Sequence, residues 1–118
     1  MTAMNDSPKA LAALKAEYQR LRQRLAGIGY ISQGSVQQRS VAASGRSGYQ
    51  WTRKVKAKTV SVALSKEQYQ ALKEAIENWR QLQEILQRMQ ALSRQVIFET
   101  FPNPPRRKRL GKKVLGLI

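Results

Sequence analysis

The sequence predicts an α+β fold: an N-terminal helix, a small antiparallel β-sheet of two to three strands, a long C-terminal helix, and a basic, disordered-like tail. Three observations predict it. Apolar residues recur every three or four positions over Leu11–Ile28 and again over Tyr69–Val96, the spacing of one buried helix face. Between them, Tyr49–Leu64 alternates apolar and polar residues, the period of a half-buried strand. After Pro102 the periodicity stops and cations take over.

The first helix runs along Leu11, Leu14, Tyr18, Leu21, Leu25 and Ile28. Ser7 is its expected N-cap and Pro8 its first helical residue, where a missing N–H costs nothing. Gly27 and Gly29 end it.

A first strand is expected from about Ser35 to Val41, followed by a Gly- and Ser-rich loop. The segments "YQWTRKV" and "KTVSVAL" read as two more strands. If they form a hairpin turning at Lys56-Ala57, one face collects Tyr49, Trp51, Val60, Val62 and Leu64. The other collects Gln50, Thr52, Lys54, Thr59, Ser61 and Ala63, the split of a sheet with one face covered. Lys-Ala is poor chemistry for a two-residue hairpin turn, so a longer loop is the alternative. A one-residue slip would exchange the faces.

The second helix opens with "SKEQ", where Ser65 and Gln68 have the spacing of a capping box. Tyr69, Leu72, Ile76, Trp79, Leu82, Leu86, Met89, Leu92 and Val96 then form an apolar row. Glu84 and Arg88 stand four apart in the favourable order. From Ser65 to about Phe98 such a helix is roughly 50 Å long, against roughly 30 Å for the first. The shorter helix covers only part of the row, so the remainder must meet the sheet, the tail or another chain; a second copy or partner is expected there, with Trp79, Leu82, Leu86 and Met89 as the interface. The organisation is therefore one helix–sheet–helix domain over residues 1–101 and a basic arm over 102–118.

Charge carries the functional signal. Lys and Arg number 22 against 7 for Asp and Glu, a net +15. Residues 34–64 hold six cations and no acid, and residues 102–118 hold another six and no acid. Residues 65–101 balance five against five. The long helix thus reads as scaffold, and the two basic blocks as contacts to a polyanion. The candidate nucleic-acid contacts are Arg39, Arg46, Arg53, Lys54, Lys56 and Lys58 in the first block. In the second they are Arg106, Arg107, Lys108, Arg109, Lys112 and Lys113. Solvated edge lysines and a solubilising tail are the plain alternatives. Tyr49 and Trp51 read as core through their pairing with Leu64 and Val62, with stacking on unpaired bases as the other reading.

Catalytic chemistry has little to stand on. The chain has no His and no Cys, which removes the commonest general base, nucleophile and metal ligands. Its single Asp is Asp6. Glu74 and Glu77 lie three apart, but two carboxylates make a poor Mg²⁺ site. "RLGKKV" lacks the first glycine and the hydroxyl residue of a phosphate loop. Ser35, Tyr49 and Tyr69 have cations nearby in sequence, yet nothing marks one as activated. The reading is a non-enzyme with no catalytic residue, metal, cofactor or small-molecule substrate. The N-terminus lacks a signal-peptide pattern and no run of apolar residues spans a membrane. A cytoplasmic protein, nucleoid-associated or within a ribonucleoprotein, is expected.

The order of elements, with Gly34-Ser35, Tyr49, Trp51, Lys58-Thr59 and Ile76-Glu77-Asn78, resembles a family of small uncharacterised prokaryotic proteins often encoded beside or within transposable elements. The likeness runs from about Leu11 to Ser93. Members commonly hold a short cysteine cluster in the loop before the aromatic strand. Here that loop is "SVAASGRSG", so any metal role it has in the family is absent. The resemblance implies a mobile-DNA setting rather than a mechanism. Together these readings give a DNA- or RNA-binding accessory protein contacting phosphates through a basic hairpin and arm. The alternative is a protein-interaction subunit that assembles through its heptad-patterned helices.

Overall fold

The computed structural model describes residues 8–39 and 48–118. In chain order it holds α1 (Pro8–Ala26), β1 (Ser35–Gln38), β2 (Tyr49–Val55), β3 (Lys58–Leu64), α2 (Lys66–Thr100) and α3 (Lys112–Leu115). An N-terminal helix, a three-stranded antiparallel sheet and a long helix make up the α+β class that the periodicities predict. The chain divides into two compact units, one of Ile28–Leu82 and one built from α1 with Gln83–Ile118.

In the first unit the strand order is β1-β2-β3. Tyr49 lies opposite Leu64, Trp51 opposite Val62, Arg53 opposite Val60 and Val55 opposite Lys58. This is the register that the apolar/polar split demands, and the connection is the tight Lys56–Ala57 turn. Its φ angles are 50° and 67°, the left-handed pair of a type I′ turn, whose twist matches that of the strands. Neither residue is Gly, Asn or Asp, so the turn stores about 1 kcal/mol or more at each position. Register outweighs that strain, because a one-residue slip would put Tyr49 and Trp51 on one face and Val62 and Leu64 on the other.

On the other side of β2, Val36 faces Trp51 and Gln37 faces Gln50. β1 ends at Gln38, short of the expected Val41, although the Arg39 N–H still donates to the Gly48 carbonyl. Val41, the Gly-rich loop and the Ser7 cap of α1 lie outside the described residues. Gly34 enters β1 with φ +108°, and a Cβ there would stand 2.5 Å from Trp51 Nε1 and 2.6 Å from the Thr52 carbonyl oxygen. The space a side chain would fill belongs to the indole, which donates to the Gln33 carbonyl at 3.1 Å.

α2 meets the aromatic face at its Tyr49–Leu64 end, while Val62 on the same face is 41% exposed. Leu64 and Ala75 are buried, and the Tyr49 and Tyr69 rings lie 4.9 Å apart. The segment leading into β1 is stitched to the same helix. The Ser32 N–H donates to the Ala75 carbonyl at 3.1 Å, and Asn78 Nδ2 donates to the Tyr30 carbonyl at 2.9 Å.

α2 starts with the capping box that its sequence predicts. The Gln68 N–H donates to Ser65 Oγ at 3.1 Å, and the Ser65 N–H donates to Gln68 Oε1 at 3.0 Å. In the second unit the buried side chains are Leu21 on α1 and Ile85, Met89, Ala91 and Leu92 on α2. The expected apolar row holds at Met89 and Leu92, but Leu86 remains 38% exposed and Ile85 is buried in its place. Ile85 stands four residues before Met89 and seven before Leu92, on the face those two share, whereas Leu86 is turned about 100° from Ile85 at about 3.6 residues per turn. Arg88 does not take the expected Glu84 as its partner. It reaches across to α1, where Nε and Nη2 donate to the Glu17 carboxylate at 2.7 and 2.9 Å.

The tail is less irregular than its composition suggests. α3 ends in a left-handed Gly116 (φ 72°), with the Leu117 N–H donating to the Lys112 carbonyl and the Gly116 N–H to the Lys113 carbonyl. That is a Schellman cap. Arg94 Nη1 donates to the Gly116 carbonyl at 3.1 Å and Gln95 Nε2 to the Leu117 carbonyl at 3.0 Å. The prolines do break α2, as expected, but "GKKVLGL" also carries a helix-stop glycine that its cations obscure.

Candidate nucleic-acid interface

The hairpin gathers its cations by simple geometry. A two-residue turn projects beyond the strand ends, and Arg53, Lys54, Lys56 and Lys58 all fall within its last rungs. All four are exposed. Alternation places Lys54 on the polar face and Arg53 and Lys58 on the aromatic face. The Arg53 guanidinium lies 5.1 Å from the Trp51 ring centroid, so it shields the indole while keeping its charge in water. Since residues 34–64 contain no carboxylate, nothing in the segment neutralises these groups.

Arg39 stands at the opposite end of the sheet, beyond β1, and is exposed. Arg46 lies outside the described residues. Between the two basic ends the uncovered face carries Gln37, Gln50 and Ala63 in one row, and Ser35, Thr52 and Ser61 in the next. Ser35 Oγ and Thr52 Oγ1 are 2.9 Å apart and share a hydrogen bond. The aromatics fall on the other face. Tyr49 stacks toward Tyr69 and Trp51 bonds Gln33, an arrangement of core residues rather than of an open stacking platform.

The second basic cluster belongs to the other compact unit. Residues 102–111 run between the end of α2 and α3, and Arg106, Arg107, Lys108, Arg109, Lys112 and Lys113 are all exposed. Arg107 is the one held in place. Its guanidinium lies 5.4 Å from the Phe98 centroid, and its Nη2 donates to Asn103 Oδ1. Around it is a pocket of about 370 Å³ lined by Phe98, Leu110 and Leu115 on its apolar side and by Asn103, Arg107, Lys108 and Arg109 on its polar side. Arg94 and Gln95, which anchor this segment, carry no sequence signal beyond their helix position.

The residues expected to meet a partner do not share one environment. Trp79 and Leu82 are half-buried, Leu86 is exposed, and Met89 is only 8% exposed within its own chain. A shallow apolar groove of about 300 Å³ lies instead beside Tyr18, Val96 and Ile97. The hydrogen bonds from Arg88 hold the Glu17 carboxyl below its ordinary value, partly opposed by burial and aided by the charges of Arg88 and Arg20, and the same bonds raise the Arg88 guanidinium above its own. Among the described residues no helix is long and apolar enough to cross a membrane. No family model, curated protein or solved structure matches the chain.

Proposed function

We propose that this protein is a non-enzymatic nucleic-acid-binding accessory protein, held to backbone phosphates by the hairpin tip and by the basic segment 106–113. The observation that carries this reading is the exposed tip of Arg53, Lys54, Lys56 and Lys58 in a segment with no carboxylate. Clustered cations without local counter-charges release condensed counterions from a nucleic acid, and that release drives association. The setting that fits is the cytoplasm, in a nucleoid or ribonucleoprotein complex, and the resemblance noted above suggests a mobile element.

Binding measured at two salt concentrations tests it. Six neutralised phosphates give a log–log slope of about −5 on duplex DNA. Salt-independent affinity, or no binding at low salt, overturns the reading.

A second reading is assembly with a second copy or a larger partner through α2. It is favoured by Leu86 at 38% and Ile97 at 50% exposure on a helix whose charges balance. Leu82→Glu with Leu86→Glu would then reduce the molar mass in solution and leave nucleic-acid binding intact.

A further inference from the structure

The hairpin tip accounts for affinity to phosphates, but not for the composition of the sheet's uncovered face. We propose that this face enters the major groove of duplex DNA and reads base edges there, with Gln37 and Gln50 as the principal readers. The proposal rests on the nucleic-acid reading above and narrows it to one class of ligand.

Four features support it. The face presents amides and hydroxyls in its two middle rows, Gln37 with Gln50 and then Thr52 with Ser61. These are donor–acceptor groups suited to base edges, and a Gln can bond adenine N6 and N7 together. Cations lie at the outer ends, with Arg39 beyond one row of amides and Lys54 beyond the row of hydroxyls. Same-face rows are about 7 Å apart along a strand, so these two ends are about 20 Å apart and bracket a groove about 12 Å wide. Phosphate-binding groups therefore flank base-reading groups, the division of labour that a groove imposes.

Size gives the third feature. The B-form major groove is open enough for side chains standing on β-strands to reach base edges. The major groove of A-form RNA is too narrow for side chains to read. The fourth feature is the direction of the aromatics. A single-strand binder offers rings to unpaired bases, whereas Tyr49 and Trp51 point away from this face and are engaged with Tyr69 and Gln33.

The test is selection from a library of random duplexes with the intact protein, repeated with Gln37→Ala and with Gln50→Ala. The wild type should enrich a motif. Each variant should lose discrimination at one position by about tenfold to a hundredfold, while its affinity for unselected duplex stays within about twofold, because no phosphate contact is removed. Replacing purines of the selected site by deaza-purines that lack the N7 acceptor should weaken the wild type, since that atom lies only in the major groove. This arm needs no variant to fold. Duplex binding without any enriched motif, a motif that survives both substitutions, insensitivity to the deaza-purines, or preference for RNA or single strands would each overturn base reading and leave phosphate binding standing. No binding to any nucleic acid at low salt would overturn both.

Discussion

Arg88 on α2 holds Glu17 on α1 by two parallel hydrogen bonds, Nε to Oε2 at 2.7 Å and Nη2 to Oε1 at 2.9 Å. The pair is solvent-accessible, so its worth is about 1 kcal/mol at most, toward the upper end for a surface pair because the geometry is bidentate. The Glu17 carboxyl titrates below its ordinary value in the folded chain. Its contribution is therefore complete above the ordinary carboxylate value and fades as pH falls through the depressed one. Thermal unfolding as a function of pH should show that acid-side loss, and Glu17→Gln should remove it. An Arg88→Lys variant should recover only part of the stability, since an ammonium cannot bond both oxygens in the same way.

Lys56→Asn with Ala57→Gly should stabilise the hairpin. Both positions hold left-handed angles that Asn and Gly adopt with little strain, and the expected gain is about 1–2 kcal/mol. A higher urea midpoint at unchanged slope would show it. If the proposed nucleic-acid binding holds, loss of the Lys56 charge should at the same time reduce its salt slope by about 1.

Gly34→Ala should destabilise by about 2–4 kcal/mol, through backbone strain and overpacking together. The added Cβ would stand 2.5 Å from Trp51 Nε1, so tryptophan fluorescence should report a displaced indole as well as a lower midpoint.

Arg94→Ala should loosen the C-terminal segment without melting the rest. Removing a charged donor from the Gly116 carbonyl raises the population of the undocked segment by about tenfold. Tryptic cleavage within Arg106–Lys113 should accelerate accordingly, provided opening and closing are fast relative to cleavage. The main unfolding transition should stay in place.

Ser65→Ala should cost about 1 kcal/mol, because one of the reciprocal cap bonds of α2 disappears.

Local chemistry explains how much could be read from the chain. The Ser65–Gln68 cap, the strand register and the helix ends each depend on residues a few positions apart, and each emerges from spacing alone. The Lys56–Ala57 turn was legible in its position but not in its conformation, since its angles are imposed by pairs such as Trp51–Val62 rather than by its own residues. Arg88–Glu17 and Arg94–Gly116 join residues far apart in sequence, and no periodicity encodes them. Of the site, the basic clusters were plain from charge counting. The alignment of Gln37 with Gln50 on the uncovered face required β1 to be placed beside β2.

Among the described residues β3 pairs only with β2, so "KTVSVA", residues 58–63, forms a sheet edge with high β-propensity and no proline. Such an edge is a template for self-association. What restrains it is long-range repulsion from a chain carrying +15, and that repulsion acts over a Debye length of about 10 Å at 0.1 M salt but only about 3 Å at 1 M. Colloidal stability and the proposed nucleic-acid binding would thus draw on the same charges. A polyanion that occupied them would lower the barrier to edge-on pairing, so that loading the protein along a nucleic acid would also bring its strands within reach of one another.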